Sequence, residues 1–359
     1  MKIRGASLPL AGLALLLCLT ATGQQQQPAQ GPQARLLVVT FDGNLEDLPQ
    51  VEPAEFQIEL DKQKVAPSKL YNPEELPTVI AIVLQDNIRP AFGTQLPALR
   101  DFIVAQPQNT YVGIFYLAGQ SIDNPTNGFQ ADLKKVAETL RAPKGQGELA
   151  PPSPYELIAR LGEFMNRMPA ARKEILFFSE GTDALYPDAS PGQNRNMRVA
   201  LDRTRDYGIP VWVIYTSDAF PPATRRVVEG DAVGDQGATG PTSASSGIDA
   251  RAMNDASVGG RGSDVTPGRS SGQGGDAFGE SSTRPRVNFN TANLKDLADK
   301  SGGKMLSSKE SLTDIAPLLE EFRTLLSRQL VLEYEGEPPI KKVKMNRKLQ
   351  GVKLLAPEK

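Results

Sequence analysis

Continuous aliphatic runs alternate along this chain with stretches in which apolar residues recur every three or four positions. The clearest run covers residues 79–84, between Pro77 and a polar loop. Such a run is typical of a strand buried on both faces of a parallel α/β sheet. A helical pattern begins at Phe92, beyond the loop. Ligands of open α/β sheets bind where the strand order reverses, at the carboxyl ends of the strands, so we expect Asp86 at that point.

Strands and helices alternate through most of the chain. Strand patterns occupy residues 36–41, 55–60, 111–117, 174–178, 209–215 and 329–335, with a short edge strand at 120–123 and closing strands within 341–355. Helical patterns occupy residues 129–141, 154–168, 194–207, 291–301 and 311–328, and we expect Ser153 and Thr291 to be N-caps. The order predicts a doubly wound, mostly parallel α/β sheet flanked by helices. A small β add-on comes from the N- and C-terminal segments.

The amino terminus has the pattern of a secretory signal peptide. Lys2 and Arg4 precede an apolar run at residues 8–19, and small residues lead to Gly23. The run is too short for a mature membrane anchor, so we expect cleavage near Gly23, no stable membrane insertion, and a secreted or periplasmic protein.

Composition then sets the domain boundaries. We predict a signal peptide at 1–23, a flexible Gln/Pro-rich leader at 24–33 and a β preamble at 34–73. The α/β domain covers 74–328 and contains a disordered Gly/Ser-rich insertion at about 230–285. Terminal strands at 329–359 could pack with the preamble.

Charge and residue usage limit the chemistry. The 40 basic and 42 acidic residues give a net charge of -2, so no global field gathers nucleic acid. The chain has no histidine, and Cys18 is removed with the signal peptide, so His- and Cys-based catalysis and metal ligation are excluded. We therefore expect a non-enzymatic protein.

Several short sequence motifs, taken in their order along the chain, resemble those of the von Willebrand factor A (VWA) family. The chain is most similar to bacterial extracytoplasmic proteins called VWFA-related, known mostly from acidobacteria. The motifs are FDGNLEDLPQVEPAEFQIELDKQ, VIAIVLQDN, ILFFSEGTD, VWVIYTSD, LKDLADKSGGK and QLVLEYEGE. The resemblance covers nearly all of the mature chain except the insertion.

The resemblance implies a metal-ion-dependent adhesion site, which this chain matches only in part. Asp86 matches the family's first aspartate, but Ile88 and Pro90 stand where two serine ligands are usual and offer no side-chain oxygen. Glu180 replaces a later aspartate, and Gln130 is the nearest candidate for the threonine ligand. Because Mg²⁺ requires six oxygen ligands, we expect a degenerate site with no bound Mg²⁺ and no cofactor; weak binding of another divalent cation stays open.

The surviving charges suggest a binding face. We hypothesise that Arg89 fills the space of the lost cation and pairs with Asp86 or Glu180. The candidate partner-binding residues are Asp86, Asn87, Arg89, Glu180 and Asp183. The implied function is binding of a protein partner, whose identity and oligomeric state the sequence leaves open. The alternatives are a structural part of an envelope assembly, contacted through the β preamble and terminal strands, and a carboxylate-dependent hydrolase of envelope polymer using Glu180 and Asp183.

Overall fold

The structure is a computed structural model that describes residues 34–88, 90–118, 121–144, 153–169, 171–183, 185–216, 290–307 and 314–359. The predicted signal peptide, leader and Gly/Ser-rich insertion lie outside the described residues, and the domain boundaries stay predictions. Within the described segments, no helix is both long enough and apolar enough to cross a membrane.

The regular elements follow the predicted alternation of strands and helices. The strands are β1 (Ala34–Gly43), β2 (Phe56–Leu60), β3 (Lys64–Val65), β4 (Lys69–Tyr71), β5 (Thr78–Gln85), β6 (Thr110–Ala118), β7 (Ser121–Asp123), β8 (Arg172–Ser179), β9 (Val211–Tyr215), β10 (Met305–Leu306), β11 (Gln329–Glu335), β12 (Ile340–Met345) and β13 (Val352–Leu355). The helices are α1 (Leu96–Val104), α2 (Leu133–Glu138), α3 (Pro154–Asn166), α4 (Arg195–Asp206), α5 (Thr291–Ser301) and α6 (Ala316–Ser327), with short 3-10 helices at Pro53–Glu55 and Pro90–Gln95.

The central sheet has six strands in the order β10-β9-β8-β5-β6-β7. Neighbouring strands are parallel except for β7, which pairs antiparallel with β6 at one edge. Counted from β5 along the chain, this is the doubly wound order 3-2-1-4-5-6, which reverses between β5 and β8. Asp86, directly after β5, therefore lies at the predicted switch point.

Helices cover both faces of this sheet because β5 is apolar on both. Its Ile80, Ile82 and Leu84 pack in one core cluster with α1, α2 and α6, and its alternate residues pack in another with α3, α4 and α5. Each fully buried aliphatic or aromatic side chain stabilises the fold by about 1.5–3 kcal/mol. Close packing extends to Gly303, where an added Cβ would lie 2.1 Å from the carbonyl oxygen of Val211.

The first and last described segments of the chain form a β add-on. β1 pairs antiparallel with β11 and β13, while β2 pairs with β12 in a three-stranded sheet. The inner faces of the two sheets share a core that includes Phe41, Phe56 and Tyr334. The fold class predicted from the sequence, including the add-on, is therefore confirmed.

Two local predictions were wrong, and a third is confirmed in position only. The helix predicted at 129–141 is only α2, because Gln130 pairs with the backbone of Val112 and Asp132 is the N-cap. Asn290, and not Thr291, caps α5. Ser153 is the N-cap residue of α3 as predicted, but its hydroxyl makes no capping bond and donates to Asp183 instead.

Candidate functional site

The carboxyl ends of β5 and β8 define the crevice at which an open α/β sheet ordinarily takes its ligand. The hydroxyl of Ser179 donates to Gln85 Oε1 at 2.6 Å. Gln85 Nε2 in turn donates to the carbonyl and hydroxyl oxygens of Thr182 at 2.7 and 3.0 Å. All three residues are buried, so this network closes the base of the crevice with polar contacts between the two strands.

Asp86 follows β5 and is held by Arg141, which reaches it from the segment after α2. Arg141 Nη1 lies 2.7 Å from Asp86 Oδ1, and Nη2 lies 3.1 Å from Oδ2. The backbone N–H of Lys144 also donates to Oδ1 at 3.0 Å. Asp86 is only 5% exposed. Both carboxylate oxygens are thus engaged in the two-pronged geometry that a guanidinium group favours.

Arg141 is itself fixed by Tyr116 and Asp123. Its guanidinium carbon lies 3.7 Å from the centre of the Tyr116 ring, and Nη2 donates to Asp123 Oδ2 at 3.0 Å. The Tyr116 hydroxyl accepts from the backbone N–H of Arg141 and donates to its carbonyl. Burial by itself lowers the pKa of Arg141, but the hydrogen bonds to Asp86 and Asp123 outweigh it and raise the pKa. A permanent positive charge therefore stands beside Asp86.

The residues present do not fit the divalent cation that the family resemblance implies. The Asp86 oxygens that would bind a metal already bind Arg141, and a second positive charge there would be repelled. No group of three or more acidic side chains gathers among the described residues in a way that could hold a metal. Two buried oxygens at this edge, Asn87 Oδ1 and Thr216 Oγ1, have no hydrogen-bond partner, but both are neutral.

Asp183 has a different role, because its carboxylate organises the loop after β8. It accepts from the hydroxyl of Ser153 at 3.0 Å and from Asn194 Nδ2 at 2.9 Å. The backbone N–H groups of Leu185 and Tyr186 donate to its other oxygen. Asp183 thereby ties the loop to the N-cap residues of α3 and α4. Leu185, in the same loop, is half exposed and lies at the rim of this end of the sheet.

The acidic residues of the predicted partner-binding face are buried. Asp86, Glu180 and Asp183 are all nearly fully buried, and Asn87 is half-buried with its Nδ2 donating to Thr182. Arg89 lies outside the described residues. The hypothesis of a fixed positive charge named Arg89, but the guanidinium that binds Asp86 belongs to Arg141.

Sequence reasoning missed Arg141, Tyr116, Asp123 and Lys144. Arg141 lies 55 residues from Asp86, at the end of a predicted helix, where a basic residue needs no special explanation. The signal that could have indicated Tyr116 is the pairing of β6 with β5, which places Tyr116 next to the end of β5.

Comparisons with known proteins add a fold-level likeness only. No family model matches the chain, and no curated protein matches it. Among solved structures, an aerotolerance-related membrane protein from Bacteroides fragilis aligns at 14% identity over 69% of this chain and 98% of its own, with a TM-score of 0.38. BatB from Bacteroides thetaiotaomicron aligns at 14% identity over 38% of this chain and 64% of its own, with a TM-score of 0.27.

A VWA domain also appears among these neighbours. The VWA domain of SpRpn10 aligns at 9% identity over 39% of this chain and 74% of its own, with a TM-score of 0.28. Identities and TM-scores this low transfer no residue roles. The six-stranded sheet, parallel except at one edge, is the doubly wound α/β architecture that the resemblance implies, so the resemblance is confirmed at the level of the fold.

Proposed function

We propose that this chain is a non-enzymatic, extracytoplasmic protein-binding module in which the Arg141 guanidinium replaces the metal ion of an adhesion-type site. The observation that carries the proposal is the two-pronged contact between Arg141 and Asp86 at the switch point. A fixed internal cation can hold the loops at this edge in one arrangement without a metal. The partner would then bind the rim that those loops form.

The rim offers the chemistry of a protein contact. Leu185 is 51% exposed, and the side chains of Asp123 and Lys144 flank Arg141 with exposed charges of opposite sign. Protein interfaces characteristically combine a central apolar anchor with a polar rim. The buried positions of Asp86, Glu180 and Asp183 favour a role for them in shaping this rim.

Catalysis has less support at the same edge. The two acids of the hydrolase alternative are Glu180 and Asp183, and Asp183 accepts hydrogen bonds on both carboxylate oxygens from four protein groups. A general acid or base must be able to exchange a proton with a substrate in reach. The contacts of Asp183 suit a fixed structural anion.

Capture from an envelope extract tests the proposal. The mature chain, immobilised, should retain the same partner in EDTA as in Mg²⁺, because no metal takes part. Leu185→Asp should abolish capture by placing a charge at the apolar anchor. Val199→Asp, a matched change at an exposed residue of α4, should leave capture intact.

A second pair of variants separates the assembly alternative. Lys344→Glu and Lys353→Glu reverse charges on the β add-on and should not affect capture if the rim binds the partner. Loss of capture with these changes, together with full retention in Leu185→Asp, would move the contact to the add-on. Loss of capture in EDTA with recovery in Mg²⁺ would contradict the metal-free site.

A further inference from the structure

A cavity of about 450 Å³ opens at the opposite end of the central sheet, where the strands begin. Thr78, Thr110 and Arg172, the first residues of β5, β6 and β8, contribute to its wall. Leu48, Pro73, Ala105, Pro107 and Leu326 supply apolar surface. Its size falls in the range typical of small-molecule sites, and it is distinct from the rim.

Arg172 is the unusual component of this cavity. It is only 7% exposed, and burial lowers the pKa of its guanidinium against an opposing electrostatic effect of Glu174. Its Nε and Nη2 donate to the Thr78 hydroxyl, and its Nη1 donates to the carbonyl of Leu326 at 2.7 Å. These bonds use three of the five N–H groups of a guanidinium, so two have no acceptor among the described residues.

The charges around Arg172 do not neutralise it directly. Glu174 is the nearest acid along β8, but its carboxylate accepts from Trp212 Nε1 at 2.7 Å and makes no hydrogen bond to Arg172. Arg323 also lines the cavity and pairs with Glu320, while Glu74 lies exposed at the mouth. The carbonyl of Leu326, in the last turn of α6, supplies only a partial negative charge.

A buried guanidinium that no carboxylate hydrogen-bonds among the described residues is costly, and a bound anion in direct contact would lower that cost. We propose that this cavity binds a small organic carboxylate, with Arg172 as its receptor and the apolar wall holding the body of the ligand. A guanidinium group can bind both oxygens of one carboxylate through two N–H groups. The apolar wall favours an organic acid over inorganic phosphate. The carboxylate could belong to a free acid or to the carboxyl terminus of a peptide.

Calorimetric titration of the mature chain at neutral pH tests this site with four probes. These are sodium benzoate, inorganic phosphate, the tripeptide Gly-Ala-Leu and the amide of that tripeptide. Saturable binding of benzoate, or of the free tripeptide but not its amide, supports the site and identifies the source of the carboxylate. Absence of saturable binding by every probe, or equal binding of tripeptide and amide, would overturn the proposal.

Variants then locate the binding. Arg172→Lys keeps the charge but loses the paired donors, so we expect affinity to fall at least about tenfold.

Asn109 is exposed and lines the cavity. Asn109→Asp should weaken and Asn109→Lys strengthen binding, each by about threefold to tenfold. This pair keeps the test decisive if Arg172→Lys does not fold. Arg198→Gln, an exposed control on α4, should bind as the wild type does. Unchanged affinity in Arg172→Lys, or in both Asn109 variants, would contradict the assignment.

Discussion

The two ends of the central sheet use buried charge in opposite ways. At the carboxyl end, Asp86 and Arg141 touch through two hydrogen bonds, of 2.7 and 3.1 Å. At the amino end, Arg172 and Glu174 are both buried and two residues apart on β8, yet they form no ion pair. Charges that touch support a fixed structure, whereas buried charges without a partner are sites at which a proton or a ligand can act.

The largest expected effect comes from breaking the pair at the carboxyl end. Arg141→Ala leaves the buried Asp86 carboxylate without its guanidinium partner, so we expect the free energy of unfolding to fall by about 3 kcal/mol. Urea denaturation at neutral pH measures the change. The double variant Arg141→Ala/Asp86→Ala should be more stable than Arg141→Ala alone. Additive losses in the double variant would show that the pair contributes no coupling.

At the amino end, removing a charge should stabilise the protein. Glu174 is fully buried, and burial raises its pKa from 4.5 to about 7 against the opposing effects of Arg172 and Trp212. The native state therefore favours the neutral acid. Its contribution to stability is complete below the ordinary pKa and is lost as pH rises through the raised one.

Glu174→Gln removes this loss while keeping a hydrogen-bond acceptor for Trp212. We expect the free energy of unfolding to rise by about 2–3 kcal/mol above neutral pH, with no gain in acid below the ordinary glutamate pKa. Denaturation midpoints of the two proteins across that pH range measure the difference. A gain independent of pH would contradict titration of Glu174 as its cause.

At the carboxyl end, Asp183 can be tested separately from Asp86, because the two carboxylates have different hydrogen-bond partners. Asp183→Asn keeps the size of the side chain but replaces one acceptor oxygen by an N–H₂ group that meets protein donors, so we expect a loss of about 2 kcal/mol. Because Asp183 contacts Leu185 and not Arg141, this variant should weaken capture of the partner without affecting the Asp86–Arg141 pair. Capture equal to that of the wild type would contradict the role of Asp183 in shaping the rim.

The smallest expected effect is at the exposed end of the same network. Asp123 is half exposed and contacts only one nitrogen of Arg141. Exposed ion pairs contribute about 0–1 kcal/mol, so Asp123→Asn should lower stability by less than about 1 kcal/mol and less in high salt. A loss as large as that of Arg141→Ala would mean that Asp123, and not Asp86, is the main partner.

Sequence patterns predicted the sheet well because its strands are marked by local features. The run that became β5 is apolar on both faces, and its end fixed Asp86 at the switch point. The error at α2 arose because apolar spacing cannot show that Gln130 pairs with a strand backbone. That contact depends on how the loop folds back onto β6.

The sequence predicted the acidic residue of the candidate site but not the basic residue that binds it. Asp86 and the absence of serine ligands were visible in the sequence, and they suggested a substitute positive charge. The sequence favoured Arg89 because it is close along the chain, whereas Arg141 reaches Asp86 through the packing of α2 and β6. No local sequence feature pointed to Arg172 either, because its hydrogen bond to the carbonyl of Leu326 depends on where α6 ends.

The central claim is that the Arg141 guanidinium replaces a metal ion at Asp86. Titration with Mn²⁺ tests this claim most directly, because Mn²⁺ takes the same oxygen ligands as Mg²⁺. Calorimetry should detect no saturable binding to the wild-type mature chain up to millimolar Mn²⁺, since Arg141 already binds both oxygens of Asp86. Micromolar binding to the wild type that Asp86→Ala abolishes would show that a metal, and not Arg141, holds this carboxylate.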